Sequence, residues 1–167
     1  MRLFAAIVPP ADAIEQIAET QKKAHTWIQA KGAYTKPDKF HITLQFFGEA
    51  FPQSVTEVQI SEAIRGVVPF DLRLSVLAGF PDSRLKRVMH LEPDACAELL
   101  QIMKYWGTPS EPNDRPHLTL ARFNQPVELP RVKFEPIEFA VSSVRLLNSL
   151  HVGTETSYTL QKEFHLG

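Results

Sequence analysis

With 167 residues, 44% of them hydrophobic and 22% charged, the chain is long enough to bury a full core and short enough to form one domain. A formal net charge of -1 excludes a protein that coats nucleic acid through a broad basic field, so any RNA contact has to be local. One cysteine, Cys96, excludes an intramolecular disulfide and fits a reducing compartment, and no run nears the roughly 18 apolar residues of a membrane span.

In chain order, Leu3 to Val8 is continuously apolar, which predicts a strand buried on both faces and stopped by Pro9-Pro10. The run is too short for a secretory signal, so a cytoplasmic protein is expected. From Ala11 to Ala30, the residues Ile14, Ile17, Ala18, Ala24 and Ile28 fall at helical spacing, with Asp12 and Glu15 near the positive end of the helix dipole. Lys31-Gly32 ends that helix, and Pro37-Asp38 is a turn leading into a strand closed by Gly48. Gln53 to Val67 reads as a second helix with Ile60, Ala63, Ile64 and Val67 on one face. Phe70, Leu72, Leu74 and Val76 alternate with polar residues, and Arg87 to Leu91 follows across a basic turn, which predicts a hairpin.

Asp94 is the expected cap of a third helix carrying Cys96, Leu99, Leu100, Met103 and Trp106 and ended by Gly107. A Pro-rich loop from Thr108 to Pro116 delivers another strand, Pro126 and Pro130 mark a loop, and strands are expected from Ile137 to Leu147 and from Ser157 to Phe164. This order is neither a series of strict crossovers nor all-β. It predicts an α+β fold of antiparallel sheets with outer helices, a single domain over 1-167 with no linker.

One stretch occurs twice. Asp38-Lys39-Phe40-His41-Ile42-Thr43-Leu44-Gln45-Phe46-Phe47 aligns without a gap on Asp114-Arg115-Pro116-His117-Leu118-Thr119-Leu120-Ala121-Arg122-Phe123. Chance would give two His-x-Thr-Leu sequences on the order of once in a thousand such chains. In an extended strand His41 and Thr43 share one face while Ile42 and Leu44 share the other. Two such strands set side by side would gather two imidazoles and two hydroxyls around one small volume. An imidazole titrates near pH 6.5, so one can serve as base and the other as acid in a displacement at phosphorus. The hydroxyls of Thr43 and Thr119 could donate to the non-bridging oxygens. Packing alone would not call for the same His and Thr twice, since Val or Ile suits a strand better. His25, His90, His151 and His165 belong to neither copy; His25 and His151 read as solvated surface. A catalytic zinc normally takes three protein ligands, and no third ligand stands at a recognisable spacing from His41 and His117.

The paired motif, together with Arg2-Leu3-Phe4-Ala5-Ala6-Ile7-Val8-Pro9, Phe46-Phe47-Gly48-Glu49, Tyr158-Thr159-Leu160 and Phe164-His165-Leu166-Gly167, resembles the two-histidine phosphoesterase superfamily. Within it, the chain resembles the bacterial RNA 2',3'-cyclic phosphodiesterase family, also called 2'-5' RNA ligase. That resemblance implies two pseudo-symmetric lobes flanking a cleft that carries both motifs. It also implies a phosphodiesterase that needs no metal and no cofactor, hydrolysing RNA 2',3'-cyclic phosphate ends to 2'-phosphate ends, with 2'-5' ligation as the reverse reaction. The catalytic set would be His41, Thr43, His117 and Thr119, with His41 as acid and His117 as base.

The implied substrate contacts are Arg122 and Phe46, with Tyr34 standing where the family usually has a tryptophan. Strict alternation sends Arg122 to the face opposite His117, so its role requires a bulge, a strand end or strong twist; the other readings are a surface arginine and a core phenylalanine. Lys36, Lys39, Arg84, Lys86, Arg87 and Arg115 could line an RNA approach or form a solvated rim. The implied partners are RNA ends or cyclic nucleotides, tRNA-like RNA included, for a monomer with no membrane partner. The competing function is a nucleotide- or RNA-binding module that uses the same cleft without turnover.

Overall fold

The computed structural model describes residues 1–107 and 114–167. Among these described residues, nine strands and three α-helices follow in the order β1 (Arg2–Ile7), α1 (Ala11–His25), β2 (Gly32–Tyr34), β3 (Ile42–Gly48), α2 (Gln53–Ala63), β4 (Phe70–Phe80), β5 (Leu85–Pro93), α3 (Ala97–Lys104), β6 (Leu118–Glu128), β7 (Ile137–Val141), β8 (Ser143–Val152) and β9 (Glu155–His165). The strands form one antiparallel sheet in the order β7-β4-β5-β6-β3-β1-β8-β9, with β2 added to β6. At its middle, β3 and β6 share a single residue pair, Ile42 with Leu118. That joint divides the sheet into two lobes, β3-β1-β8-β9 and β6-β5-β4-β7. In each lobe the motif strand lies against the strand that precedes it through a helix: β1 then α1 before β3, β5 then α3 before β6. The fold is α+β with two pseudo-symmetric lobes, as the order of elements and the resemblance predict.

Burial explains the arrangement. Leu3, Ala5 and Ile7 face a core shared with Ile17 of α1, Ile60 of α2 and Ile102 of α3, while Phe4 and Ala6 face the opposite side and cluster with Leu147 and Tyr158. A strand covered on both faces reads as an unbroken apolar run, and β1 does. The helices cross over behind the joint: α1, which follows a first-lobe strand, packs on β7 of the second lobe, and α3, which follows a second-lobe strand, packs on β3 of the first.

Several expected boundaries move. Helix α1 ends at His25 instead of Ala30, because the chain turns at Thr26 and Trp27 and lays down β2 against β6. Gly32 sits so close that a Cβ there would lie 2.7 Å from the Arg122 carbonyl oxygen. Helix α2 stops at Ala63, and Gly66 takes a left-handed φ of 74° just beyond it. The β4–β5 hairpin forms as expected but with longer arms. Asp94 does not cap α3: its carboxylate accepts from Ser75 Oγ and pairs with Arg73 at 3.6 Å, and the helix, running from Ala97 to Lys104, leaves Cys96 at its N-cap and Trp106 in the turn beyond it. Pro126 lies inside β6 and not in a loop. The β5–β6 ladder jumps from Val88 opposite Arg122 to Lys86 opposite Val127, and the proline sits in the interruption, where no ladder donor is required. The single strand expected from Ile137 to Leu147 is two strands in different lobes, the chain crossing at Ser142. Of the Pro-rich loop expected before the second motif, positions 108–113 lie outside the described residues. Among the described residues no helix is long and apolar enough to cross a membrane.

Candidate active site

The two motif strands carry the same backbone irregularity at the same place. In the first lobe Thr43 is opposite Ala6 and Gln45 opposite Ala5, so Leu44 is an extra residue. In the second, Thr119 is opposite His90 and Ala121 opposite Met89, so Leu120 is the extra residue. Each bulge shifts the alternation by one, and the buried Leu drops into the core. Phe46 and Arg122 thereby return to the face of the histidines and threonines. The second bulge is tied from behind: the Leu120 carbonyl accepts from the Thr35 backbone N–H at 2.9 Å and from Gln21 Nε2, on α1, at 2.8 Å. Among the described residues no side chain does the same for Leu44.

A cavity of about 770 Å³ opens between the lobes, and His41, Thr43, Phe46, His117, Thr119 and Arg122 all line it. The imidazoles are cradled alike. His41 Nδ1 lies 2.8 Å from the Lys39 carbonyl and His117 Nδ1 lies 2.6 Å from the Arg115 carbonyl, in each case two residues back. A carbonyl only accepts, so Nδ1–H donates in both rings and Nε2 is left as the atom free to take or give a proton. His41 Nε2 is 3.1 Å from Thr43 Oγ1, which donates to the neutral ring and can accept from the protonated one.

Burial is the main cause that lowers the pKa of both histidines, and the carbonyl bonds partly oppose it. Nearby charge lowers them further: His117 and Arg122 act on His41, while Arg122 and Arg115 act on His117, against a raising effect of Glu92. Arg122 therefore reaches both rings. An anion bound beside it would offset these effects and let one imidazole hold a proton.

The ring neighbours differ. His41 packs between Phe4 at 5.2 Å and Tyr158 at 5.1 Å between centroids, and His117 between Phe80 at 4.9 Å and His90 at 5.0 Å. Phe46 is 51% exposed, so it is not a core residue, and Arg2 lies over its ring at 5.7 Å.

Tyr34 is not brought to this cavity. It lies on β2 against His25 and Phe123, at 4.2 and 6.1 Å, and lines a separate hollow, while its neighbour Thr35 reaches the cleft wall. Of the six bases expected near the motifs, Lys39 and Arg115 line the cleft. Lys36 pairs with Glu155 and Arg84 with Glu128, while Lys86 and Arg87 donate to the Pro81 and Asn124 carbonyls. Sequence reasoning missed Arg2, Phe4, Phe80, His90 and Tyr158. Their strands are legible, but no local spacing ties them to the motifs. Among the described residues no group of three or more His, Cys, Asp or Glu side chains is placed to hold a metal ion.

Residues 9–153 match the model of a family described as the 2'-5' RNA ligase superfamily. The chain is 27% identical to the RNA 2',3'-cyclic phosphodiesterase of Aquifex aeolicus, over 92% of each chain. It is 26% identical to the protein of the same name from Methanothermobacter thermautotrophicus, over 69% of this chain and 65% of that one. A solved structure from Thermus thermophilus superposes with a TM-score of 0.79 at 26% identity, covering 99% of this chain and 98% of that one. E. coli LigT complexed with 3'-AMP superposes at 0.74 and 26% identity, over 99% and 97%.

Proposed function

We propose that this chain, which belongs to the 2'-5' RNA ligase superfamily, is a phosphodiesterase that hydrolyses RNA 2',3'-cyclic phosphate ends to 2'-phosphate ends. The observation that carries this reading is the pair of identically cradled imidazoles, each with Nδ1 bonded to a carbonyl, on the walls of one cavity that also holds two threonines and an arginine. The names of the relatives agree with it.

In this mechanism the cyclic phosphate lies between the motifs, with Arg122 and the hydroxyls of Thr43 and Thr119 donating to its non-bridging oxygens. His117 Nε2 takes a proton from water, and the water oxygen bonds to phosphorus. The P–O3' bond breaks as His41 Nε2 gives its proton to O3', leaving the phosphate on O2'. The bound anion lets His41 carry the proton it donates, and burial first, then the charge of Arg122 and more weakly that of Arg115, disfavours a proton on His117, against the Arg115 carbonyl bond and Glu92. Afterwards the two rings have exchanged protonation states, and water resets them. With a 5'-hydroxyl nucleotide in place of water, the same steps in the same direction give a 2'-5' linkage: His117 takes the proton of the 5'-hydroxyl, the 5'-oxygen bonds to phosphorus, and O3' leaves with the proton from His41.

In this reading Phe46, an exposed ring on the cleft wall with Arg2 over it, seats the base. Residues 1-167 act as one two-lobed domain, working as a monomer on RNA ends or cyclic nucleotides in the cytoplasm, with no metal required. The test is incubation with a nucleoside 2',3'-cyclic phosphate in EDTA, followed by separation of the 2'- and 3'-phosphate products. The expected product is the 2'-phosphate, and a 3'-phosphate would reverse the roles of the two histidines. Tight binding without turnover would make the protein a binding module instead.

A further inference from the structure

Ala6 stands opposite Thr43 and His90 opposite Thr119, each just ahead of its bulge. Where the first lobe has a methyl group, the second has an imidazole. His90 has no exposed surface; its ring centroid lies 5.0 Å from that of His117 and 4.3 Å from that of Phe80. Neither ring nitrogen has a hydrogen-bond partner among the described residues, and the Glu92 carboxylate is 4.0 Å from Nε2. Burial first, then the charges of His117, Arg115 and Lys86, push its pKa down to about 3; a weak pull from the Leu91 backbone, short of hydrogen-bond geometry, opposes them. Near neutral pH the His90 ring therefore carries no charge. An imidazole that uses neither nitrogen serves as an aromatic body.

We propose that His90 is a positioning residue for His117: its ring, backed by Phe80, fills the space behind the His117 imidazole, holds that ring in place and keeps water from its rear. This rests on the reading of His117 as the base. The charged and titratable groups that face His117 are Arg115 in the preceding turn, Arg122 on its own strand, Glu92 and His90 on β5 and His41 across the joint, while β4 offers Phe80. Both motif histidines have two rings behind them, and the second site differs from the first in that one of its two is an imidazole on the strand beside the motif.

The test is NMR titration of the labelled His117 imidazole in the full chain, beside kinetics on a nucleoside 2',3'-cyclic phosphate. His90→Ala lets water in behind His117, so its titration midpoint rises by about half to one pH unit. With the ring no longer held, kcat falls on the order of 10-fold. KM stays the same. His90→Phe restores the ring without the nitrogens, and so brings back the low midpoint and most of kcat, with a higher melting temperature than the natural protein. His90→Val, which suits a strand, gives the alanine result if the alanine variant does not fold. An unchanged His117 titration in folded His90→Ala, or a His90→Phe protein that titrates like it, overturns the proposal. The titration needs no turnover, so failure of the hydrolysis reading would show separately, as a natural protein that leaves the cyclic phosphate intact.

Discussion

The two halves of the cleft agree in backbone and differ in neighbours. Both have Nδ1 tied to the carbonyl two residues back, both have a leucine bulge after the threonine, and both bring the third residue after the threonine to the working face. The residues so delivered are Phe46 in one half and Arg122 in the other. Behind the histidines stand Phe4 and Tyr158 in the first half and Phe80 and His90 in the second. The shared part prepares two equivalent imidazoles. It contains nothing that would make one an acid and the other a base. That distinction has to come from the parts that differ.

The largest effects should follow from breaking the shared part. His41→Ala and His117→Ala should each lower kcat at least about 100-fold in steady-state assays with a cyclic nucleotide. Because burial lowers the pKa of both rings, the bell-shaped profile of kcat/KM should lie on the acid side of their ordinary 6.5. The profile of kcat should lie at higher pH, since a bound phosphate favours the protonated form. Coincident profiles would mean that the bound phosphate does not act on the rings.

Next come the donors. Thr43→Val, Thr119→Val and Arg122→Gln should each cost roughly 10-fold to 1000-fold in kcat/KM. Thr43→Val should act unequally with Thr119→Val, because Thr43 also bonds to the Nε2 of His41. Equal losses would argue that this bond is idle. Phe46→Ala should remove a stacking contribution of about 1 to 3 kcal/mol per base and appear in KM, with little change in kcat. Gln21→Met should have the smallest effect on turnover, a few-fold at most. It should also lower unfolding free energy by about 0.5 to 1.5 kcal/mol per bond lost, because the Leu120 and Thr35 carbonyls lose the Gln21 donor while Leu120 keeps the Thr35 N–H. A matching loss of Arg122 function would show that the bulge needs this tie to aim the arginine.

Much of this was legible in the sequence, because alternation and duplication are properties of side chains. The β4–β5 hairpin follows from Phe70, Leu72 and Leu74, and the pairing of lobes follows from the repeated His-x-Thr. What escaped was set by the backbone or by distant strands. The bulges at Leu44 and Leu120 place a leucine where a regular strand would also place one, so only the register reveals them. Strand β2 is three residues long and its first two are exposed, which leaves no pattern to read. The break at Ser142 did leave a trace: buried residues fall at Ile137, Phe139 and Val141, then at Val144 and Leu146, a slip of one in the period. Tyr34 was placed by analogy of position alone, and its ring packs on His25 and Phe123 away from the cleft.

The crossing of the helices behind the joint bears on whether either half has any autonomy. Each sheet half is roofed by a helix whose chain begins in the other half, α1 over β7 and α3 over β3. A fragment cut between α2 and β4 would leave β3 without its cover, and the complementary fragment would leave β7 bare. Neither fragment should fold alone. Mixed together, they could regain the native fold by docking helices onto each other's strands. Moving one half of the sheet relative to the other would therefore disturb the packing of α1 on β7 and of α3 on β3, which ties the spacing of the two imidazoles to the integrity of the core.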